Sequence, residues 1–234
     1  LAVIFSARIG HSIFGPLIQM AFIILVKRLI VGTFKPGPLP RGHMARQWEL
    51  TRRWMMNKLL PQGNFRGALG VLGKHYDYTS FLYRALGAKI GKRVFWPGSG
   101  VYVANGLYDL LEVGDDVVWG SRSLVYPDDS VGALPVKISR GGNVSDRCVL
   151  YAGTTLLEDA CLGSGSVSQR KSKFNVGSIW VGSRNGAAVQ LDPGTKDHAS
   201  HIEGAAEMPR EAKPFGRAVY QRKATYFLPP WQMM

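Results

Sequence analysis

The side chains that could act as a general base in this sequence are two aspartates and a small set of histidines. A general base takes a proton from a reacting amine or hydroxyl, and histidine is the residue most often used. A carboxylate can replace it where burial raises the pKa toward neutrality. We predict catalytic roles for Asp109, Asp128 and His75. The other histidines are His11, His43, His198 and His201.

Several of these candidates also have an ordinary structural interpretation. Asp109 precedes a predicted strand and could accept hydrogen bonds from backbone N–H groups. His75 could be a surface loop residue. Arg122 could bind a phosphate, or pair with a carboxylate at a corner of the fold. We predict that Arg122, Tyr126 and Trp119 bind substrate.

A six-residue repeat between Ile138 and Val167 indicates the fold that holds the candidate residues. An aliphatic residue opens every hexad, and Gly, Ser, Asp or Asn residues are frequent between them. A fixed period of six is typical of a parallel β-helix, in which each hexad forms one short strand and one corner. The alternative is a sandwich of short strands, which would alternate with a period of two between irregular turns. The opening residues are Ile138, Val144, Leu150, Leu156 and Leu162.

The same period is visible earlier in the chain, and it is interrupted by insertions. The phase is lost at 98–106, again at 126–137, and after Ser168. Insertions in a solenoid form loops, often on its binding face. We therefore expect the first two insertions to form the walls of a cleft, with Asp109 and Asp128 flanking the strands between them. The earlier hexad positions are Ile90, Trp96, Leu107, Val113, Trp119 and Val125.

The segment before the repeats is apolar and basic. Residues 9–26 are mostly apolar, which is compatible with a membrane-inserted helix, an interfacial helix or a buried helix. Residues 44–60 are predicted to form a second helix, with Trp48 and Trp54 among basic residues. Such helices lie at membrane interfaces. The alternative is a helix packed on the β-helix with its basic face in solvent.

Charge is distributed unevenly along the chain. The net charge is +13, of which residues 1–89 carry +11 and residues 90–234 carry +2. A basic half indicates an anionic partner, and the neighbouring apolar residues favour a membrane over nucleic acid. Cys148 and Cys161 occupy different hexad positions, so we expect them to be unpaired, as in a reducing intracellular compartment. No Cys-x-x-Cys motif indicates a zinc site.

These observations divide the chain into four predicted parts. Residues 1–60 form the apolar and basic helical segment, and residues 61–89 form a loop and a short helix from Thr79 to Leu86. Residues 90–182 form the β-helix, which we expect to fold without residues 1–60. Residues 183–234 form a polar loop and an aromatic tail. Because the sequence begins at Leu1, we expect it to be a piece of a longer protein.

Several segments resemble one family. The runs 86–91 and 108–123 are similar to the hexapeptide-repeat acyltransferase superfamily. Within that superfamily, the chain most resembles the C-terminal region of nonribosomal-peptide-synthetase-like adenylating proteins of the poly-lysine-synthetase type, including fungal versions. Segments 27–37, 48–54, 177–182 and 214–220 resemble the same family in the same order, so the resemblance covers nearly the whole chain.

The resemblance implies a left-handed β-helix that forms trimers, with active sites between neighbouring subunits. It implies acyl or aminoacyl transfer to an amine or hydroxyl, from a thioester on coenzyme A or on the phosphopantetheine of a carrier protein. Upstream adenylation and carrier domains are the implied partners. No metal and no tightly bound cofactor are expected.

The sequence departs from the family pattern at the expected base. Relatives carry a Thr-His pair in the loop that follows the segment ending at Ser123. Residues 124–130 contain no histidine here, which moves the base to a carboxylate such as Asp128. The alternative function is a catalytically silent trimerisation and membrane-anchoring module.

Overall fold

Three helices precede the strands in the computed structural model, which describes residues 2–60, 77–97 and 100–193. Helix α1 spans Ala2–Val26 and continues as a π-helical turn at Lys27–Val31. Helix α2 spans His43–Leu59 and α3 spans Asp77–Ala85. The helices predicted at 44–60 and 79–86 are confirmed to within a few residues. The predicted loop at 61–76 and the C-terminal tail lie outside the described residues.

Thirteen short strands among the described residues form three sheets. They are β1 Lys89–Ile90, β2 Tyr102–Val103, β3 Leu111–Val113, β4 Val118–Trp119, β5 Leu124–Tyr126, β6 Val136–Ile138, β7 Asn143–Val144, β8 Val149–Tyr151, β9 Thr155–Leu156, β10 Cys161–Leu162, β11 Lys173–Phe174, β12 Ile179–Arg184 and β13 Ala187–Asp192.

The strand order shows how the chain winds. Sheet 1 has the order β1-β3-β6-β9-β11, sheet 2 the order β13-β12-β10-β7-β4, and sheet 3 the order β2-β5-β8. The pairings are parallel except the one between β12 and β13. Because the chain visits the three sheets in turn, the strands stack as the coils of a three-sided parallel solenoid. This is the arrangement of strands that the hexad repeat predicts.

Apolar side chains fill the interior in columns. Ile138 pairs with Leu156, and Val144 pairs with Leu162, so equivalent residues in these coils are three hexads apart. These four residues and Leu150 are at most 2% exposed. The prediction that the opening residue of each hexad points inward is confirmed. Corner residues such as Asp159 have a positive φ of 61°, which turns the chain between faces.

The hexad phase continues through and beyond Ser168, so the prediction that it is lost after this residue is wrong. Phe174 pairs with Leu156, and Trp180 pairs with Leu162, in the register of the preceding coil. Ser168 itself occupies an inward position and is fully buried. Its hydroxyl lies 2.6 Å from Thr154 Oγ1 and accepts the N–H of Tyr151 at 2.8 Å. Because Ser168 stands where the preceding hexads have an aliphatic residue, the repeat is not recognisable in the sequence at this point.

Each end of the stack has a distinct cover. At the N-terminal end, Tyr83 of α3 stacks on Trp96 at 4.3 Å between ring centroids, and Trp96 stacks on Trp119 at 6.1 Å. The Tyr83 hydroxyl donates to Val101 O, and Trp96 Nε1 donates to Ser80 Oγ. At the other end, the antiparallel strand β13 replaces the next parallel coil. Strand structure thus extends past the predicted boundary at residue 182.

The N-terminal helices share one core with the solenoid. Val31, Phe34 and Met56 belong to the same cluster of buried residues as Leu107 and Val125. The connector after α1 also pairs with the second insertion, because Gly37 and Ala133 exchange two backbone hydrogen bonds of 2.8 Å. Removing residues 1–60 would expose this side of the core. Independent folding of 90–182 stays a prediction.

We predict that Leu150→Ala lowers the free energy of unfolding by about 2–5 kcal/mol, the cost of a cavity in a packed core. Leu150→Asp should prevent folding, because it places an unpaired charge in the apolar column. Val176→Asp, at a side chain that is 54% exposed, serves as the control. Chemical denaturation followed by circular dichroism measures all three variants. A Leu150→Asp protein as stable as the control contradicts the inward column.

Candidate functional site

Asp109 lies in a buried ion pair with the end of α1. It sits in a 3₁₀ turn at Tyr108–Leu110, directly after the first insertion. Its Oδ2 accepts hydrogen bonds from Lys27 Nζ at 2.6 Å and from the backbone N–H of Phe34 at 3.0 Å. The Asp109 and Lys27 side chains are only 9% and 3% exposed. Asp109 therefore accepts a backbone N–H, as its structural interpretation predicts. The donor is Phe34, which lies far from Asp109 in the sequence.

Gly87 makes room for this carboxylate. A Cβ atom at Gly87 would lie 2.2 Å from Asp109 Oδ1, and the residue has a φ of +113°. Both the space and the backbone conformation therefore require glycine at the end of α3. Lys27 Nζ also donates to Gly32 O at 2.5 Å, which fixes the turn after α1.

Asp128 connects the two insertions to α2. It follows β5 in the second insertion, and its carboxylate forms an ion pair with Arg53 of α2. Asn105 Nδ2, from the first insertion, donates to both carboxylate oxygens at 3.0 and 3.2 Å. Asn105 Oδ1 in turn accepts from Asn57 of α2 at 2.8 Å. The Asp128 side chain is 8% exposed.

The surroundings of Asp128 shift the pKa of its carboxyl upward. Burial raises the pKa of the Asp128 carboxyl above its ordinary value, and the neighbouring charge of Asp129 acts in the same direction. Arg53 and Asn105 act to lower this pKa but do not offset burial. A carboxyl with a raised pKa is suited to accept a proton near neutral pH. Ion-pair networks in structural positions also shift pKa values, so geometry must decide.

A row of three tyrosines extends from Asp128 along the outer face of sheet 3. The Tyr102 and Tyr126 rings meet edge to face at 6.2 Å, and the Tyr126 and Tyr151 rings stack at 5.7 Å. Burial raises the pKa of Tyr102, with smaller contributions from Tyr126 and the Asp128 charge. Tyr126 ends β5, two residues before Asp128 in the chain. Tyr151 is 39% exposed. We call Tyr102, Tyr126 and Tyr151 the tyrosine row.

Helix α2 covers the junction of the two insertions. Arg52 donates to Val31 O and to Thr33 O, which joins α2 to the end of α1. Met56 packs against Gly106 so closely that a Cβ on this glycine would lie 2.4 Å from Met56 Cβ. Asn105 and Asp128 join the two insertions, and α2 lies over them through Arg53 and Asn57. The cleft between the insertions stays a prediction.

Two other predicted site residues, Trp119 and Arg122, precede Asp128 in the same coil. Trp119 is fully buried in the solenoid, so it contributes to core packing rather than to a substrate surface. Arg122 is exposed at a corner with a φ of 60°. His75, His198 and His201 lie outside the described residues, whereas His11 and His43 are exposed on α1 and α2. Among the described residues, no group of three or more His, Cys, Asp or Glu side chains is arranged to hold a metal ion.

Three residues that build the site escaped prediction, namely Lys27, Arg53 and Asn105. Asn105-Gly106 is a dipeptide typical of turns with positive φ, and Asn105 has a φ of 56°. That signal could have identified Asn105. The roles of Lys27 and Arg53 had no local signal, because their partners lie 82 and 75 residues away in the sequence.

A separate groove of about 550 Å³ is lined by residues of β1, β3 and β6 and by Arg84 of α3. Glu112 lies on its floor between Lys89 Nζ at 2.9 Å and Lys137 Nζ at 3.1 Å. Partial burial acts to raise the pKa of Glu112, but hydrogen bonds from the two lysines lower it overall. The groove contains none of the predicted site residues, and we assign it no role.

No protein-family model and no curated protein matches the sequence.

We predict that Asp109→Asn lowers the free energy of unfolding by about 3–5 kcal/mol, because it leaves the Lys27 ammonium buried without its counter-charge. The control is Asp116→Asn, which breaks a pair with Arg93 whose side chains are about one-third exposed. That loss should stay within about 1 kcal/mol. Urea denaturation measures both variants. Equal effects would contradict an anchoring role for the Lys27–Asp109 pair.

Proposed function

We propose that the chain is an acyl- or aminoacyl-transferase module of an adenylating assembly-line protein, built on a left-handed β-helix and associated with a membrane. The observation that carries the proposal is Asp128, a carboxyl with a raised pKa at the junction of two insertions, beside the tyrosine row. The three-sided stack of hexads supports the fold part of the proposal. A homotrimer is the proposed assembly, with a neighbouring subunit closing the site.

Asp128 is the proposed general base. Its carboxylate takes the proton of an amine or hydroxyl as that nucleophile attacks the thioester carbonyl carbon. The tetrahedral intermediate then expels the thiol sulfur, which receives the proton from Asp128. The acyl group ends on the nucleophile, and coenzyme A or carrier phosphopantetheine is released as a thiol. No metal and no tightly bound cofactor takes part in these proposed steps.

Two features support a thioester donor at this site. The tyrosine row offers an aromatic surface that leads away from Asp128, and we propose that Tyr126 contacts the pantetheine chain there. Arg122, exposed at a corner, is the proposed contact for a phosphate group. Upstream adenylation and carrier domains would deliver the acyl group inside the cell. Arg53 must withdraw before a nucleophile reaches the carboxylate, because α2 covers Asp128.

A second candidate is a catalytically silent trimerisation and membrane-anchoring module. One observation favours it: both candidate carboxylates form ion pairs with the N-terminal segment, Asp109 with Lys27 and Asp128 with Arg53. On this interpretation the carboxylates hold helices in place and accept no proton. Nucleic acid is not a proposed partner, because the basic residues are interspersed with apolar ones.

We predict that Asp128→Asn slows acyl transfer by roughly 100-fold or more, as expected for loss of a general base. The fold should persist, since asparagine can still accept from Asn105 and Arg53 keeps its contact with Glu49 at 3.2 Å. The assay is loss of the acyl group from a loaded carrier domain, with mass spectrometry of candidate amine acceptors. Glu158→Gln, at an exposed carboxylate, is the matched control.

The pH dependence separates a base from a structural contact. Because burial raises the pKa of Asp128, the wild-type rate should rise with pH through a value above that of an ordinary aspartate. The Asp128→Asn variant should lack this step. If Asp128→Asn and His75→Ala both match wild type, or if wild type shows no transfer above buffer, the silent module replaces the transferase.

A further inference from the structure

An uncovered apolar stripe runs along α1. Its residues recur at the spacing of one helical face, and each is more than half exposed. They are Phe14 at 62%, Ile18 at 68%, Phe22 at 56%, Leu25 at 55% and, in the following turn, Leu29 at 75%. At a rise of about 1.5 Å per residue, the stripe is roughly 22 Å long.

The opposite face of α1 is held by the solenoid. Met20, Ile23 and Val26 are buried in the shared core. Lys27 is fixed by its ion pair with Asp109. The stripe therefore faces away from the protein along its length and is not the seam between α1 and the stack.

Helix α2 adds exposed aromatic residues to the same N-terminal segment. Trp48 is 51% exposed and Trp54 is 60% exposed, while Lys58 Nζ lies 5.9 Å from the Trp54 ring. The other side of α2 contacts the two insertions through Arg53 and Met56. We call the α1 stripe together with Trp48 and Trp54 the two-helix surface.

The charge of residues 1–60 indicates the kind of partner this surface fits. Residues 1–60 contain nine Lys and Arg residues and one acidic residue, Glu49. Glu49 is already bound by Arg52 and Arg53. Exposed cations with no free carboxylate among them attract anionic phospholipids, and exposed apolar and tryptophan side chains insert at the lipid interface. The exposed cations include Lys35, Arg41, Arg46 and Lys58.

We infer that the two-helix surface binds an anionic bilayer surface with α1 lying in the plane of the membrane. This inference deepens the membrane association in the proposed function and rests on that part alone. Residues 10–31 are long and apolar enough to cross a membrane. Spanning would need about 20 residues within the hydrocarbon, whereas α1 is buried in the core shared with the solenoid from Met20 onward, at Met20, Ile23 and Val26.

The first test is flotation of the full chain with phosphatidylcholine vesicles, with and without phosphatidylserine. The paired substitution Phe22→Gln and Leu29→Gln should lower partitioning by roughly tenfold or more, because it removes apolar area from the stripe without changing charge. The matched control is Val176→Gln with Leu191→Gln, at exposed residues of the solenoid. Binding should require phosphatidylserine and should weaken in Lys58→Gln with Arg46→Gln.

The second test measures sidedness. The chain is synthesised in the presence of sealed vesicles, with a protease-cleavable tag before Leu1. An in-plane helix leaves the tag outside, so cleavage proceeds without detergent. Cleavage only after detergent would show that α1 spans the bilayer and would overturn the inference.

Other outcomes also overturn it. Equal losses of vesicle partitioning in the stripe variant and its control would show that the stripe is not the lipid contact. A wild-type protein that does not float, but whose free oligomer dissociates in the stripe variant, would make the stripe a contact between copies. Transfer is assayed without vesicles, so the two proposals fail separately: flotation without transfer refutes the transferase, and transfer without flotation refutes the membrane surface.

Discussion

The buried ion pair between Lys27 and Asp109 is the contact on which the arrangement of the N-terminal segment depends. Either charge alone would be costly at this depth, so α1 must end where its ammonium meets the carboxylate. The same carboxylate accepts the N–H of Phe34, which directs the chain toward Gly37 and its pairing with Ala133. After this connector, α2 lies across both insertions, and its Arg53 forms an ion pair with Asp128.

This dependence gives the candidate site two competing requirements. A base must be accessible to a nucleophile, whereas a carboxylate that anchors a helix must stay paired. Asp109 meets only the second requirement, since it is bound by a lysine and a backbone N–H. Asp128 can meet both, because Arg53 has Glu49 as another partner when it leaves. The carboxylate beside the tyrosine row is thus the better candidate for chemistry.

The sequence predicts the solenoid well because its signal is local and periodic. An aliphatic side chain every sixth residue, such as Leu150 or Leu156, reports the column directly. The inward position of Ser168 could not be predicted in this way, because its buried hydroxyl is satisfied by Thr154 and Tyr151 of the preceding coil. Trp119 shows the converse error, because an aromatic at a hexad position belongs to the column whatever chemistry it could support. The partners of Asp109 and Asp128 could not be found from spacing, which carries no information about contacts 75 or more residues apart.

The hairpin of β12 and β13 ends the stack of parallel coils. Stacked parallel coils expose backbone donors and acceptors at their ends, and such edges can recruit further chains into a growing fibre. Here an antiparallel strand follows the last coil, and α3 packs over the first through Tyr83 and Trp96. End-to-end polymerisation is thereby disfavoured.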